Sequence, residues 1–258
     1  MRIIPPRLLA RPRVRASRRA QGGWIVNPYR LAVDEGGGGG GDPYFSSVVQ
    51  LAHFDGSNGS TTLTNSCPRG NTMTVLGTST ISTAQSKWGG ASLRSPNTSA
   101  GATGANNADY GFEHGPLTIE GWFRLDAISG YQVYFSWMDD GPLVWCDGTG
   151  VIAARIDSAN RISSSAGVGV AATWQYVSFC SAGASVGVNR NQYLHVDGVH
   201  IGTWTSTYGY GTPGRVNVFY DAFGVGGVGY ADDFRVTKGV CRYGASNYSV
   251  PTEAHPNS

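Results

Sequence analysis

The stretch "QYLHVDGVHIGTW", Gln192 to Trp204, decides the fold class. Alternating runs lie on either side of Asp197-Gly198, a period that turns one face of each run toward a core. Asp-Gly tolerates the positive φ angles of a type I′ turn, so the two runs are predicted to fold back as an antiparallel hairpin with a two-residue tip. Working outward, "SVVQLAHF", "TMTVLG", "TIEGWFRL", "YQVYFSW", "WQYVSFC" and "RVNVFY" are short, rich in β-branched and aromatic residues, and separated by polar turns. Lys/Glu/Ala-rich helical runs are missing and glycine is abundant, at 38 residues. Many short antiparallel strands with tight turns predict an all-β, two-sheet antiparallel jelly-roll sandwich over residues 43–258.

A domain of about 200 residues buries roughly 70% of the surface its unfolded chain exposes, enough for a core without staples. Cys67, Cys146, Cys180 and Cys241 show no Cys-x-x-Cys and no zinc-ligand spacing, and are expected as free thiols.

Residues 1–42 carry eight arginines against three acidic residues, a net of +5, while the remainder carries 11 basic and 14 acidic residues, a net of −3. The basic character belongs to an arm, residues 1–33, that holds Arg2, Arg7, Arg11, Arg13, Arg15, Arg18 and Arg19 ahead of the apolar patch opened by Trp24. Pro5, Pro6 and Pro12 break any amphipathic helix there, and no apolar run is long enough for a membrane span or a secretory signal. Residues 34–42 read as a glycine linker, because the six glycines are followed by neither the Lys-Ser/Thr nor the helix of a phosphate-binding loop.

Four further pieces carry a resemblance: "LAHFDGSNGSTTLTNS" (Leu51 to Ser66), "ISTAQSKWGGASL" (Ile81 to Leu93), "LTIEGWFRL" (Leu117 to Leu125) and "DDFRVTKGVCRY" (Asp232 to Tyr243). With "YLHVDGV" they resemble the laminin-G-like branch of the concanavalin A-like lectin/glucanase superfamily, in the form found in tailed-bacteriophage structural proteins. The resemblance implies that "ADDFRVT" returns beside "VVQLAHF" to close the sandwich, with Phe234 and Val236 in the core and Arg235 and Thr237 facing solvent. It also suggests a calcium site at Asp55 and Asp232, carboxylates being suitable hard ligands. The implied role is that of a non-enzymatic virion structural protein assembled in the host cytoplasm. It would be a capsid decoration, head fibre, tail fibre or baseplate component, a homo-oligomer anchored to other virion proteins through the arm. The alternative is a carbohydrate-binding host-attachment adhesin; a glycan hydrolase comes third.

Catalysis finds little support in the residues. The Glu-x-Asp-x-x-Glu pattern of the glucanase relatives is absent, and Glu113 and Glu120 would face opposite sides of a continuous strand. Asp139-Asp140, followed by Gly-Pro, reads as a turn. "GASVG" (Gly183 to Gly187) matches a nucleophile-elbow pattern at Ser185, but strands rather than a strand and a helix flank it. His195 and His200 are expected as an exposed cross-strand pair. In "TWTSTYGYGTPG" the small residues are expected to keep Trp204, Tyr208 and Tyr210 near solvent for stacking on a sugar. The slightly acidic domain argues against nucleic acid as a partner.

Overall fold

The computed structural model describes residues 41–137, 142–211, 214–221 and 223–258. The anchoring arm, all but the last two residues of the linker, and Asp139-Asp140 lie outside the described residues. In chain order the strands are β1 Val48–Ala52, β2 Met73–Leu76, β3 Thr80–Ser82, β4 Ser92–Ser95, β5 Gly101–Gly104, β6 Leu117–Leu125, β7 Gln132–Trp137 and β8 Leu143–Cys146. They continue as β9 Ile152–Ile156, β10 Ala159–Ser163, β11 Gln175–Ser181, β12 Arg190–Val196, β13 Val199–Ser206, β14 Val216–Val218 and β15 Gly229–Lys238. Helix among the described residues amounts to two three-residue 3-10 turns, at Phe45–Ser47 and Ala108–Tyr110.

Two antiparallel sheets form the sandwich. One runs β13-β12-β11-β6-β15-β4-β3 with β1 also paired to β15; the other runs β10-β9-β8-β7-β14-β5-β2. The last strand does return beside the first: the start of β15 pairs with β4, and its end pairs with β1 from Ala52↔Phe234 to Val48↔Thr237. The hairpin tip is as expected, with φ of 51° at Asp197 and 75° at Gly198 between β12 and β13.

Alternation selects the core. Phe123 of β6 packs against Phe135 of β7 and Phe219 at centroid distances of 5.9 and 5.7 Å, and Phe135 reaches Phe234 of β15 at 6.3 Å. All four rings are buried, each contributing about 1.5–3 kcal/mol by leaving water.

In β15 the simple alternation breaks. Asp232 pairs with Trp122 and Arg235 with Glu120, so two residues of β15 oppose the single Gly121 of β6. This is a β-bulge, and Asp233 takes its strained position at φ 50°. Asp232 therefore does not share the side of Phe234, as an unbroken strand would require. The expectation that Arg235 and Thr237 face solvent is also overturned, since both are buried.

The cause is the C-terminal segment, residues 239–258, which covers the outer face of the eight-stranded sheet. Every second residue of β11 is fastened to it. The Tyr176 hydroxyl meets His255 Nε2 at 3.2 Å, Ser178 Oγ meets the Tyr248 hydroxyl at 2.8 Å, and Cys180 packs against Cys241. His195, expected in solvent, is fully buried beneath Tyr243 and Tyr248, with Nε2 2.8 Å from Gly244 O. Burial pushes its imidazole down to about 4, so it stays neutral.

Candidate functional site

Strand parity builds the strongest binding surface on the outer face of the seven-stranded sheet. Val144 and Cys146 of β8, and Ile152, Ala154 and Ile156 of β9, point into the core. Their neighbours Trp145 and Arg155 must therefore point outward. Opposite Trp145 across the ladders stand Val133 and Ala153, neither large enough to cover the indole. Tyr131 lies against it at 4.7 Å and 40°, and the indole Nε1 donates to Asn160 Oδ1 at 3.2 Å. Both rings stay partly exposed.

A loop after β14 completes the surface. Asp221 is buried, and its Oδ1 accepts from the Phe223 and Val225 amides at 2.9 Å each, an arrangement that holds the loop in a turn. Its Oδ2 faces the Tyr131 hydroxyl at 3.4 Å. Burial first, and then the Asp221 charge, push the Tyr131 phenol upward, so it remains a neutral donor. The turn leaves the Phe223 ring 65% exposed, with the Arg155 guanidinium 5.6 Å from its centre. Tyr131, Trp145 and Phe223 thus offer flat apolar faces beside the polar edges of Asn160 and Arg155. Such a surface suits a sugar, which has C–H faces to stack and hydroxyls to bond.

The aromatic residues expected to bind do not form such a surface together. Tyr210 is buried against Trp137 at 5.6 Å, its hydroxyl donates to Gln192 Oε1, and the Arg190 guanidinium covers its ring at 5.1 Å. Its expected place near solvent is corrected. Tyr208 is half-buried and meets Tyr210 edge-on at 5.6 Å. Trp204 is half-buried on β13 under the Arg161 guanidinium at 4.9 Å.

Asp55 and Asp232 present a different chemistry. Asp232 Oδ2 accepts from the Lys87 and Trp88 amides at 2.7 and 3.1 Å, while Asp232 Oδ1 and Asp55 Oδ1 are buried and unpartnered. Burial, reinforced by the charges of Asp233 and Asp55, raises the Asp232 carboxyl to about 7. A Cβ at Gly89 would collide with the Asp55 carboxylate, so glycine is needed for this close approach. Two orphaned carboxylate oxygens fit a hard divalent cation, which would neutralise both. Among the described residues no group of three or more His, Cys, Asp or Glu gathers there.

Glu120 offers no carboxyl group to a substrate. Glu120 is fully buried, with Oε1 accepting from Arg235 Nε and Oε2 from the Tyr176 hydroxyl, both at 2.7 Å. Burial pushes its carboxyl upward, but Arg235 and Arg242 outweigh this and hold it below the usual range, so it carries no proton to donate. Ser185 lies in the loop between β11 and β12 with strands on both sides, lacking the helix an elbow needs.

Among the described residues, fold and surface define a β-sandwich with an open aromatic face. No protein-family model and no curated protein matches the chain. Among solved structures, domain 4 of AbnA, a GH43 extracellular arabinanase of Geobacillus stearothermophilus in complex with arabinotriose, is similar. Its TM-score is 0.54 at 13% identity, over 76% of this chain and 94% of that one. The binding domain of botulinum neurotoxin DC in complex with rat synaptotagmin II is similar at a TM-score of 0.52 and 11% identity, over 75% of this chain and 48% of that one. The same toxin domain in complex with SialylT gives 0.51 and 12%, over 75% and 48%. This chain thus spans about half of the toxin domains. These likenesses bear on the fold, a jelly-roll sandwich shared with binding domains.

Proposed function

We propose that the chain is a non-catalytic carbohydrate-binding protein whose docking face is the outer surface of the seven-stranded sheet around Trp145. The observation that carries this is the convergence of Tyr131, Trp145 and Phe223 with Asn160 and Arg155 on one face. The similar fold in an arabinanase domain bound to arabinotriose and in a toxin domain complexed with SialylT supports the reading. A glycan array probed with the full chain, followed by titration of the best ligand, tests it. Trp145→Ala should weaken binding about tenfold or more, because losing a stacked aromatic hot spot costs about 1–2 kcal/mol or more. Its melting transition should stay close to that of the parent protein. Unchanged affinity in Trp145→Ala would place recognition elsewhere.

A virion setting is the finer part of the proposal and rests on the sequence resemblance. There the sandwich would be displayed outward as a head or tail component, held by Arg2 to Arg19 and the Trp24 patch. Arginine suits an anchoring arm because its guanidinium makes bidentate contacts with carboxylates and is weakly hydrated. Deleting residues 1–33 should leave the melting transition unchanged and abolish incorporation into particles. Normal incorporation of the truncated chain would rule out the arm as anchor.

A further inference from the structure

Cys180 on β11 is fully buried, and Cys241, in the segment leaving β15, packs half-buried against it together with Tyr193 and Tyr243. Thr118 of β6 fixes this approach. It pairs with Cys180 across the ladder, and its hydroxyl lies 3.4 Å from Cys180 Sγ. The same hydroxyl donates to Val240 O at 2.9 Å and accepts from Arg242 N at 3.0 Å. Both chain neighbours of Cys241 are thus held to the one side-chain oxygen that also touches Cys180. The Cys241 thiol donates to Tyr243 O at 3.1 Å, within the same cluster that holds Cys180. Cys67 and Cys146 lie apart, their thiols turned to Val48 O and Asp147 O.

We propose that Cys180 and Cys241 are a disulfide-forming pair, a covalent modification site that fastens the C-terminal segment to β11 when the protein meets a disulfide oxidant. Cys241 is the more exposed of the two and reacts first. Its thiol gives up its proton, the sulfur attacks one sulfur of the oxidant, the oxidant's S–S bond breaks, and one thiolate leaves and is protonated. The deprotonated sulfur of Cys180 then attacks Cys241 Sγ, forming the protein disulfide and expelling the second thiol. Two electrons and two protons pass from the protein to the oxidant. The nearness of Cys180 and then burial raise the Cys241 thiol pKa, so exchange is slow at neutral pH and the reduced pair persists in a reducing compartment.

The bridge lies at one end of a row of three fastenings along β11, Cys180 with Cys241, Ser178 with Tyr248, and Tyr176 with His255. Closing it makes permanent the root of the covering segment, where it leaves β15 and crosses to β11. The test uses the full chain equilibrated with oxidised glutathione, then alkylated in denaturant and mapped by peptide mass. A Cys180–Cys241 cross-linked peptide is expected, with Cys67 and Cys146 alkylated. Amides of residues 239–243 and of β11 around Cys180 should exchange more slowly in the oxidised form, and its Tm should rise by on the order of 10 °C, a rise that Cys241→Ser does not show. Four alkylated cysteines after prolonged oxidation, or a bridge through Cys67 or Cys146, would overturn the proposal.

Discussion

At the scale of single residues the most consequential side chain is Asp232, because its buried carboxyl is raised to about 7 while its unfolded counterpart titrates near 3.8. Between those values the folded state holds a proton that the unfolded state has released, so this residue's contribution is full below pH 4 and is lost as pH rises toward 7. Burial-lowered His195 and His255 act in the opposite sense up to about 6.5, and Asp233, lowered by His255 and His53 against its own burial, acts only at lower pH. The difference between parent and Asp232→Asn therefore isolates the effect. In the absence of divalent cations the variant should melt higher at pH 8 and equally at pH 4. Calcium at pH 8 should raise the parent's Tm and leave the variant's unchanged; equal pH profiles would show that Asp232 is not protonated in the fold. A sequence resemblance suggested Asp55 and Asp232 as a calcium site. The orphaned oxygens that give it meaning depend on loop 83–90, which no local pattern placed.

At the scale of elements, the strands and the Asp197-Gly198 tip followed from local chemistry, period two and a turn that tolerates positive φ. What did not follow was long-range. The bulge at Asp233 shifts parity by one, and nothing in "YADDFRVTKG" marks it. The C-terminal segment buries Arg235, Thr237 and His195 by covering a face that alternation alone assigns to water. Trp145 and Arg155 could have been found, since each stands on the off-core parity of a strand whose neighbours are apolar. Under the covering segment, Glu120, Arg235, Arg242 and Asp42 form a buried charge network, with Arg235 Nη1 to Asp42 Oδ2 and Arg242 Nη1 to Asp42 Oδ1 both 3.0 Å. Glu120→Ala leaves two guanidinium groups short of an acceptor and should cost about 3–5 kcal/mol in denaturant unfolding. A loss below 1 kcal/mol would mean that the network is hydrated rather than closed.

At the scale of the molecule, the two sheets do different work. Residues 239–258 cover the middle of the eight-stranded sheet, while the seven-stranded sheet keeps an aromatic face open. A sandwich that must display one face without associating through the other gains from this asymmetry, since a large exposed apolar patch invites association. Carboxylates are spent on structure, at Asp42, Glu120, Asp221 and Asp233, each satisfied within the fold.

The Asp42 amide donates to the Ser258 carbonyl at 2.8 Å, so the sandwich begins and closes at one point. Its path is nearly that of a ring. A ring of this kind can be spliced into a surface loop of another protein with almost no separation to bridge, or joined across residues 42 and 258 and reopened at the exposed turn around Val186. Either rearrangement leaves every strand with its present neighbours, because sheet order depends on who pairs with whom and not on where the chain is cut.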